Sequence, residues 1–162
     1  MARRLGNEVG FGSDRDRSRV GLFLYRQQRS DSAHGVSGGP DISHRDGLPG
    51  FVRIDDPRTL TSPDFIGNFM FNTLGNLEFK RRVGLLFVDF AAGDTLQVLA
   101  EAEVIWDGEA VHAFAGAQRL VRFHLSEVLR VPGTVPARFS EPEYSPFLLT
   151  TGIWADAEAQ GA

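Results

Sequence analysis

The chain contains no cysteine, which excludes disulfides, iron–sulfur clusters and thiolate chemistry. No segment approaches the roughly 20 apolar residues that a membrane-spanning helix needs. No apolar run of signal-peptide length follows Arg3 and Arg4. The expectation is a cytoplasmic protein with no membrane partner. Neither a Gly-x-Gly-x-x-Gly turn nor a Walker loop occurs. Ser13, in Gly12-Ser13-Asp14, lacks the second glycine of a nucleophile elbow and has no strand before it. The four histidines, His34, His44, His112 and His124, contain no pair at helical i, i+4 spacing. No metal site is therefore expected.

What is present is a chain of 162 residues, 42% hydrophobic and rich in Phe (13). That length implies one domain with a real core. The net charge of −4 is uneven. Residues 1–30 carry seven Arg against Glu8, Asp14 and Asp16, while the remainder carries ten basic and eighteen acidic residues. An Arg-rich start can meet nucleic acid. The body is acidic and no aromatic platform accompanies those Arg, so no nucleic-acid partner is expected. Three segments are read: a loose or partly helical start at 1–40, a folded domain at 41–130, and an extended Pro-containing arm and tail at 131–162.

Within the start, residues 1–18 read as loose and Val20–Gln28 as a short amphipathic helix. Residues 29–50 are dense in Gly, Ser and Pro, around one ordered island, Asp41-Ile42-Ser43-His44-Arg45. From Phe51 the texture changes. Phe51–Asp55 alternates, Asp56-Pro57-Arg58 turns, and Thr59–Ser62 returns as a second strand, making a hairpin. Val83–Phe90 is a nearly continuous apolar run, read as a central strand. Ala91–Asp94 is a tight turn. Thr95–Trp106 alternates, with Leu96, Val98, Ala100, Ala102, Val104 and Trp106 on one face. Arg119–Leu129 alternates again, with Val121, Phe123, Leu125 and Leu129 against Arg122, His124 and Ser126. Asp107–Gln118 is a loop or a helical turn. Residues 131–152 read as extended, and the Ala/Glu-rich tail after Trp154 is not expected to pack. Many short strands with one or two short helices give a mainly β fold, a barrel of antiparallel strands with helical additions.

Two places carry chemistry. The stretch PDFIGNFMFNTLGN, Pro63–Asn76, opens with turn residues and offers Asn68 as a helix N-cap. A helix ending near Phe79, with Lys80, Arg81 and Arg82 at its C-terminus, would align Met70, Leu74 and Leu77 on one face. It would align Asn68, Asn72 and Asn76 on another. Asn is a poor helix former, and free N–H groups with side-chain amides at a helix start suit a phosphate. A capped surface helix with a solvated face would show the same pattern. Arg45, just before Asp46-Gly47-Leu48-Pro49-Gly50, could bind phosphate through two guanidinium N–H groups or form a surface ion pair. Glu101 and Glu103 share one strand face and read as structural. Arg122 and His124 lie on a polar face that is solvated or near a substrate.

The order DISHRDGLPGFVRI, TLTSPDFIGNFMFNTLGNL, RRVGLLFVDF, GDTLQVLAEAEVIW resembles the pyridoxamine 5′-phosphate oxidase family. It is most similar to the branch with a His-Arg-Gly-Gly-Pro-Pro-Gly-Phe-like segment followed by a Gly-Asn-x-Met-Phe-Asn-Thr-Leu-Gly-Asn-Leu-like one. The resemblance covers residues 41–130, with a fainter echo to Trp154. It implies a split β-barrel that forms a homodimer with flavin mononucleotide (FMN) at the interface. The implied flavin contacts are Arg45, Gly50, Phe51 and Val52, then Pro63, Asp64 and Phe65. The implied phosphate turn holds Asn68, Asn72 and Thr73. Relatives carry adjacent basic residues where Phe69 and Met70 stand, and the vitamin-binding pattern late in the chain is missing, so a vitamin B6 oxidase is not implied. The family places an apolar first strand where this chain reads Arg29–Gly35, which is polar.

The function implied is an FMN-dependent oxidoreductase acting on small molecules, with NAD(P)H as a candidate donor. The flavin carries the redox chemistry, and the protein positions and tunes it. The alternative is a dimeric module that binds flavin or another flat cofactor without turnover.

Overall fold

The computed structural model describes residues 3–6, 22–27, 41–66, 77, 81–137, 139–140 and 143–160. Eight strands dominate: β1 (Arg3–Gly6), β2 (Leu22–Gln27), β3 (Asp41–Asp46), β4 (Arg53–Asp56), β5 (Thr59–Phe65), β6 (Arg82–Val88), β7 (Thr95–Ile105) and β8 (Ala117–Val131). Among the described residues there are also two short helices, α1 (Glu109–Ala113) and α2 (Trp154–Gln160), and a 3₁₀ turn at Pro146–Thr150. The expected mainly β fold is thus observed. All strand pairs are antiparallel, in the order β3-β2-β6-β7-β8-β5-β4.

β8 is the axis of the sheet. One edge pairs with β7 from Leu120 to Val131. Its other edge is shared, with β5 along Ala117–His124 and β1 along Val128–Arg130. The sequence pattern explains β6, β7 and β8 directly. In β7 the residues Leu96, Val98, Ala100 and Ala102 are buried while Gln97, Leu99, Glu101 and Glu103 are exposed. In β8, Val121, Phe123 and Leu125 are buried as expected, but Leu129 is not their continuation. Leu99 faces Glu127 and Ala100 faces Leu125, so Ser126 is an extra residue on β8. A bulge of this kind reverses side-chain parity downstream. Val128, fully buried, takes the core position instead, and the Ser126 hydroxyl donates to the Leu99 carbonyl at 3.0 Å. Two central core members, Phe123 and Phe51, each contribute on the order of 2 kcal/mol by leaving water.

The start of the chain departs from expectation. Within Val20–Gln28, expected to be helical, the described residues Leu22–Gln27 form a strand seated between β3 and β6. A short apolar run cannot be told from a helix by periodicity, and a strand with neighbours on both sides tolerates continuous apolar sequence. Residues 3–6, expected to be loose, pair with β8. The apolar strand before β3 therefore exists, earlier in the chain than the polar Arg29–Gly35 stretch where it was sought. Arg29–Gly35 itself lies outside the described residues. So does the expected helix start at Asn68; its Leu77 is a helical position and is buried in the core. Arg82, expected at that helix's end, opens β6.

The hairpin forms as expected, with Arg53 opposite Thr61 and Ile54 opposite Leu60. At its turn the Asp56 carboxylate accepts from the Arg58 N–H at 2.7 Å, and this bond holds its pKa below the usual value. The tail is the remaining correction. Trp154 and Ala157 of α2 are buried with Val111, Phe114 and Leu120 in a second cluster outside the barrel. One apolar stripe, Trp154 and Ala157 at i, i+3, suffices to seat a short helix. Residues 131–152 are not wholly extended, because Ser145 caps the Pro146–Thr150 turn and Leu148 is buried.

The start of β7 and the end of β8 are tied by Asp94. Its carboxylate accepts from the Gly133 N–H at 2.9 Å and from the Arg130 guanidinium at 2.9 Å. The Gly133 bond first, and then Arg130, hold its pKa below the normal carboxylate value. A depressed folded pKa means stability that is full above the unfolded value and lost as pH falls through the folded one. Asp94→Asn is therefore expected to lower stability by about 1–2 kcal/mol at pH 7. It should also flatten the loss seen below about pH 4, as read by urea unfolding at several pH values. An unchanged acid limb in the variant would mean that Asp94 does not carry it.

Candidate functional site

The candidate site is where β3, at one end of the strand order, meets β5, next to the other end. Leu60, Ser62 and Asp64 lie opposite Phe123, Val121 and Arg119. Directly opposed residues share a face, so Asp64 and Arg119 continue the file begun by fully buried Leu60 and Phe123. The barrel's apolar lining thus ends in a carboxylate and a guanidinium. Asp64 is 5% exposed. Its Oδ1 pairs with Arg45 Nη1 from β3, and its Oδ2 lies 3.4 Å from Arg119 Nε. Arg119 also faces the Trp106 ring, 5.2 Å from its centroid, and donates to Gln118 at 3.0 Å.

Ser43 lies two residues before Arg45, on the same face of β3 by strand alternation. It is 7% exposed, and its hydroxyl has no hydrogen-bond partner among the described residues. Two guanidinium groups, one carboxylate and, two residues along β3 from Arg45, a buried hydroxyl make this end of the barrel lining polar. Such a surface suits an anion.

The turn after β3 is built on one close approach. The Phe51 N–H donates to the Leu48 carbonyl at 3.0 Å, and the Phe51 ring folds back over Gly47. A Cβ on Gly47 would stand 2.3 Å from that ring. Gly50 is exposed with φ +96. The Phe51 carbonyl accepts from Trp154 Nε1 at 2.8 Å.

The residues singled out from sequence distribute as follows. Arg45 and Asp64 are brought together. Pro63 is buried beside Asp64, and half-buried Phe65 packs against both core clusters, its ring 5.8 Å from that of Phe114. Val52 is half-buried against the core. The Phe51 side chain is in the core, and its N–H and carbonyl are both engaged within the chain. Asn68, Asn72 and Thr73 lie outside the described residues. Of the polar strand residues, Glu103 is 3.8 Å from Arg122 and 3.6 Å from His124 on an exposed face. His112 is likewise exposed and 2.8 Å from Asp107. No cluster of three or more metal-ligating side chains occurs among the described residues. No described helix is long and apolar enough to cross a membrane.

Sequence reasoning did not single out Ser43, Arg119 or Trp154 as site residues. Arg119 was findable: it lies at Val121 minus two, in phase with an apolar file, where a solvated Arg is unexpected. Ser43 and Trp154 gave no such signal, because their neighbours come from distant segments.

No protein-family model matches this chain, and no curated protein matches it. Several solved structures share its fold, the split barrel. A candidate pyridoxamine 5′-phosphate oxidase from Lactobacillus delbrueckii superposes with a TM-score of 0.56 at 18% identity, over 78% of this chain and 98% of that one. The HupZ protein of Group A Streptococcus gives 0.52 at 15% identity, over 73% and 92%. A point variant of that protein gives 0.53 at 14%, over 72% and 94%.

The buried triad makes a directional prediction. Asp64→Ala leaves two buried guanidinium groups without their shared carboxylate and is expected to cost about 3–5 kcal/mol. Arg45→Ala leaves Asp64 beside Arg119 and should cost less. The double change Arg45→Met, Asp64→Leu should recover most of the Asp64→Ala loss. Urea midpoints of the three variants decide the order; equal losses for Asp64→Ala and Arg45→Ala would refute a shared carboxylate. Separately, Gly47→Ala drives a methyl into the Phe51 ring and should cost roughly 1–3 kcal/mol, read as a lowered Tm.

Proposed function

We propose that this chain is an FMN-binding split-barrel oxidoreductase acting on a small molecule, and that it works as a homodimer. The observation that carries the reading is the buried Arg45–Asp64–Arg119 cluster, with the Ser43 hydroxyl on the same strand face, in a fold shared with a candidate pyridoxamine 5′-phosphate oxidase. Its two guanidinium groups and the buried Ser43 hydroxyl suit a phosphate group. Arg45 and Ser43 from β3 would hold the phosphate end. The main chain at exposed Gly50 and at half-buried Val52 would lie along the ring, with Pro63 and Phe65 behind it. Asn68, Asn72 and Thr73 stay in the proposal as phosphate partners from the following turn.

Bound flavin would supply hydride or electron transfer. The chain's own part is to orient and to exclude water. Asp64 fixes the Arg45 guanidinium in place, and the apolar lining behind it keeps the ring's surroundings dry. Dimer formation is supported by the outer sheet face. The register places Leu86 and Leu129 on either side of Gln97, next to Leu99, which is 53% exposed at the sheet's centre. An apolar group of this kind on an open sheet face suits a second subunit.

The first measurement is the visible spectrum of the purified protein. A yellow protein, or one that becomes so on adding FMN, supports the cofactor. A colourless protein that ignores FMN removes it. Bleaching by NADH or NADPH, followed by recovery in air, is expected of the oxidoreductase; stable colour with every donor would leave the non-catalytic binding module. Arg45→Ala is expected to weaken FMN binding by about 1.5–3 kcal/mol more than riboflavin binding. Isothermal titration of both ligands checks this, and equal losses would exclude a phosphate role for Arg45.

A further inference from the structure

Residues 152–158 touch both the turn after β3 and the loop before β8. Trp154, 6% exposed, donates its indole N–H to the Phe51 carbonyl at 2.8 Å. Its ring packs edge-on against Phe114, with centroids 4.9 Å apart, and the Arg53 guanidinium lies 3.8 Å above it. Arg53 in turn reaches Asp55 on its own strand and Glu158, one turn further along α2, at 3.5 Å. Ile153 stands against Gly50, so that a methyl on Gly50 would lie 3.8 Å from the Ile153 Cβ. Gly152 donates its N–H to the Ala115 carbonyl at 3.0 Å.

These contacts share a target. Within the turn from Gly47 to Arg53, the Phe51 N–H donates to the Leu48 carbonyl. On the other side the turn is held by the tail, through the Phe51 carbonyl, the Gly50 surface and the Arg53 head group. A hydrogen bond donated by a buried indole to a buried carbonyl fixes direction as well as distance. The donor lies 103 residues from this carbonyl in sequence, so the bond forms only when the chain's end has docked.

We infer that the C-terminal segment is a clasp that sets the conformation of the 47–53 turn, with Trp154 as its positioning residue. The functional consequence rests on reading that turn as the wall beside the flavin; the clasp itself does not. Flavin affinity should then respond to a residue on the tail that need not touch the cofactor.

The test uses the full chain. Trp154→Phe keeps an aromatic ring for Phe114 and Arg53 and removes the donor together with the second ring of the indole. In hydrogen exchange followed by mass spectrometry, without flavin, peptides covering 47–53 should exchange about tenfold faster than in the parent. Peptides from β6 and β7 should not change. Glu158→Gln, an exposed change that leaves the fold intact, should raise exchange in the same peptides by about twofold. Unchanged exchange at 47–53 in both variants, or a rise spread evenly over the chain, overturns the clasp. FMN titration forms the second arm, where a several-fold weaker Kd for Trp154→Phe is expected. Local loosening with an unchanged Kd overturns the link to the cofactor. If the parent itself binds no FMN, the cofactor reading fails on its own and the exchange data still decide the clasp.

Discussion

Arg45 and Asp64 join two strands, β3 and β5, that the backbone ladder leaves apart. The sheet runs through seven strands in one order, and its two ends must approach to enclose a core. Main-chain pairing closes most of that circuit; at this seam a side-chain ion pair does so. Such a pair is costly to bury, and apolar residues of the same volume are often as stable or more so. Its value lies in direction. A guanidinium held on a carboxylate fixes the lateral position of β3 against β5, where an apolar contact would let the strands slide. Arg119, opposite Asp64 on β8, makes the arrangement a triad and anchors the seam to the longest strand.

The rest of the barrel follows from β8. Its bulge at Ser126 divides the strand into a half that pairs with β5 and a half that pairs with β1. Without the extra residue, Val128 would point outward and the core would lose a fully buried member. Asp94, bonded to Arg130 and to the Gly133 N–H, holds the far end of β8 against the start of β7. Charge fixes direction at both ends of the long strand pair, and apolar packing fills the space between.

Much of this was legible in the sequence. The alternation in β7 and β8, the apolar run of β6 and the hairpin turn at Asp56 each mark a strand by local rules, and each is found. Leu22–Gln27 was misread because its apolar run, Leu22–Tyr25, is too short to show a period, and only its neighbours β3 and β6 make it a strand. The tail was misread for a similar reason: Trp154 and Ala157 are too few to signal a helix until Phe114 and Leu120 supply the surface they cover. In the candidate site, Arg45 and Asp64 were each singled out, but not as partners. Their spacing of 19 residues carries no local rule, because the contact is created by closure of the sheet.

The triad also bears on how a phosphate could be held without the adjacent basic pair of the resembled family. An arginine already paired to a carboxylate is a poor anion ligand if leaving that carboxylate strands a buried charge. A second guanidinium removes the objection. Asp64 touches both Arg45 and Arg119 through different oxygens, so Arg45 can turn part of its N–H fork toward an incoming phosphate while Asp64 keeps Arg119. A guanidinium has five N–H donors, enough to serve a carboxylate and a phosphate together. Ser43, with a buried hydroxyl on the same strand face, adds a donor without adding charge. If the proposed site holds a phosphate, the cluster that joins β3 to β5 would also be its anion site, and the phosphate grip would be bound to the integrity of the fold.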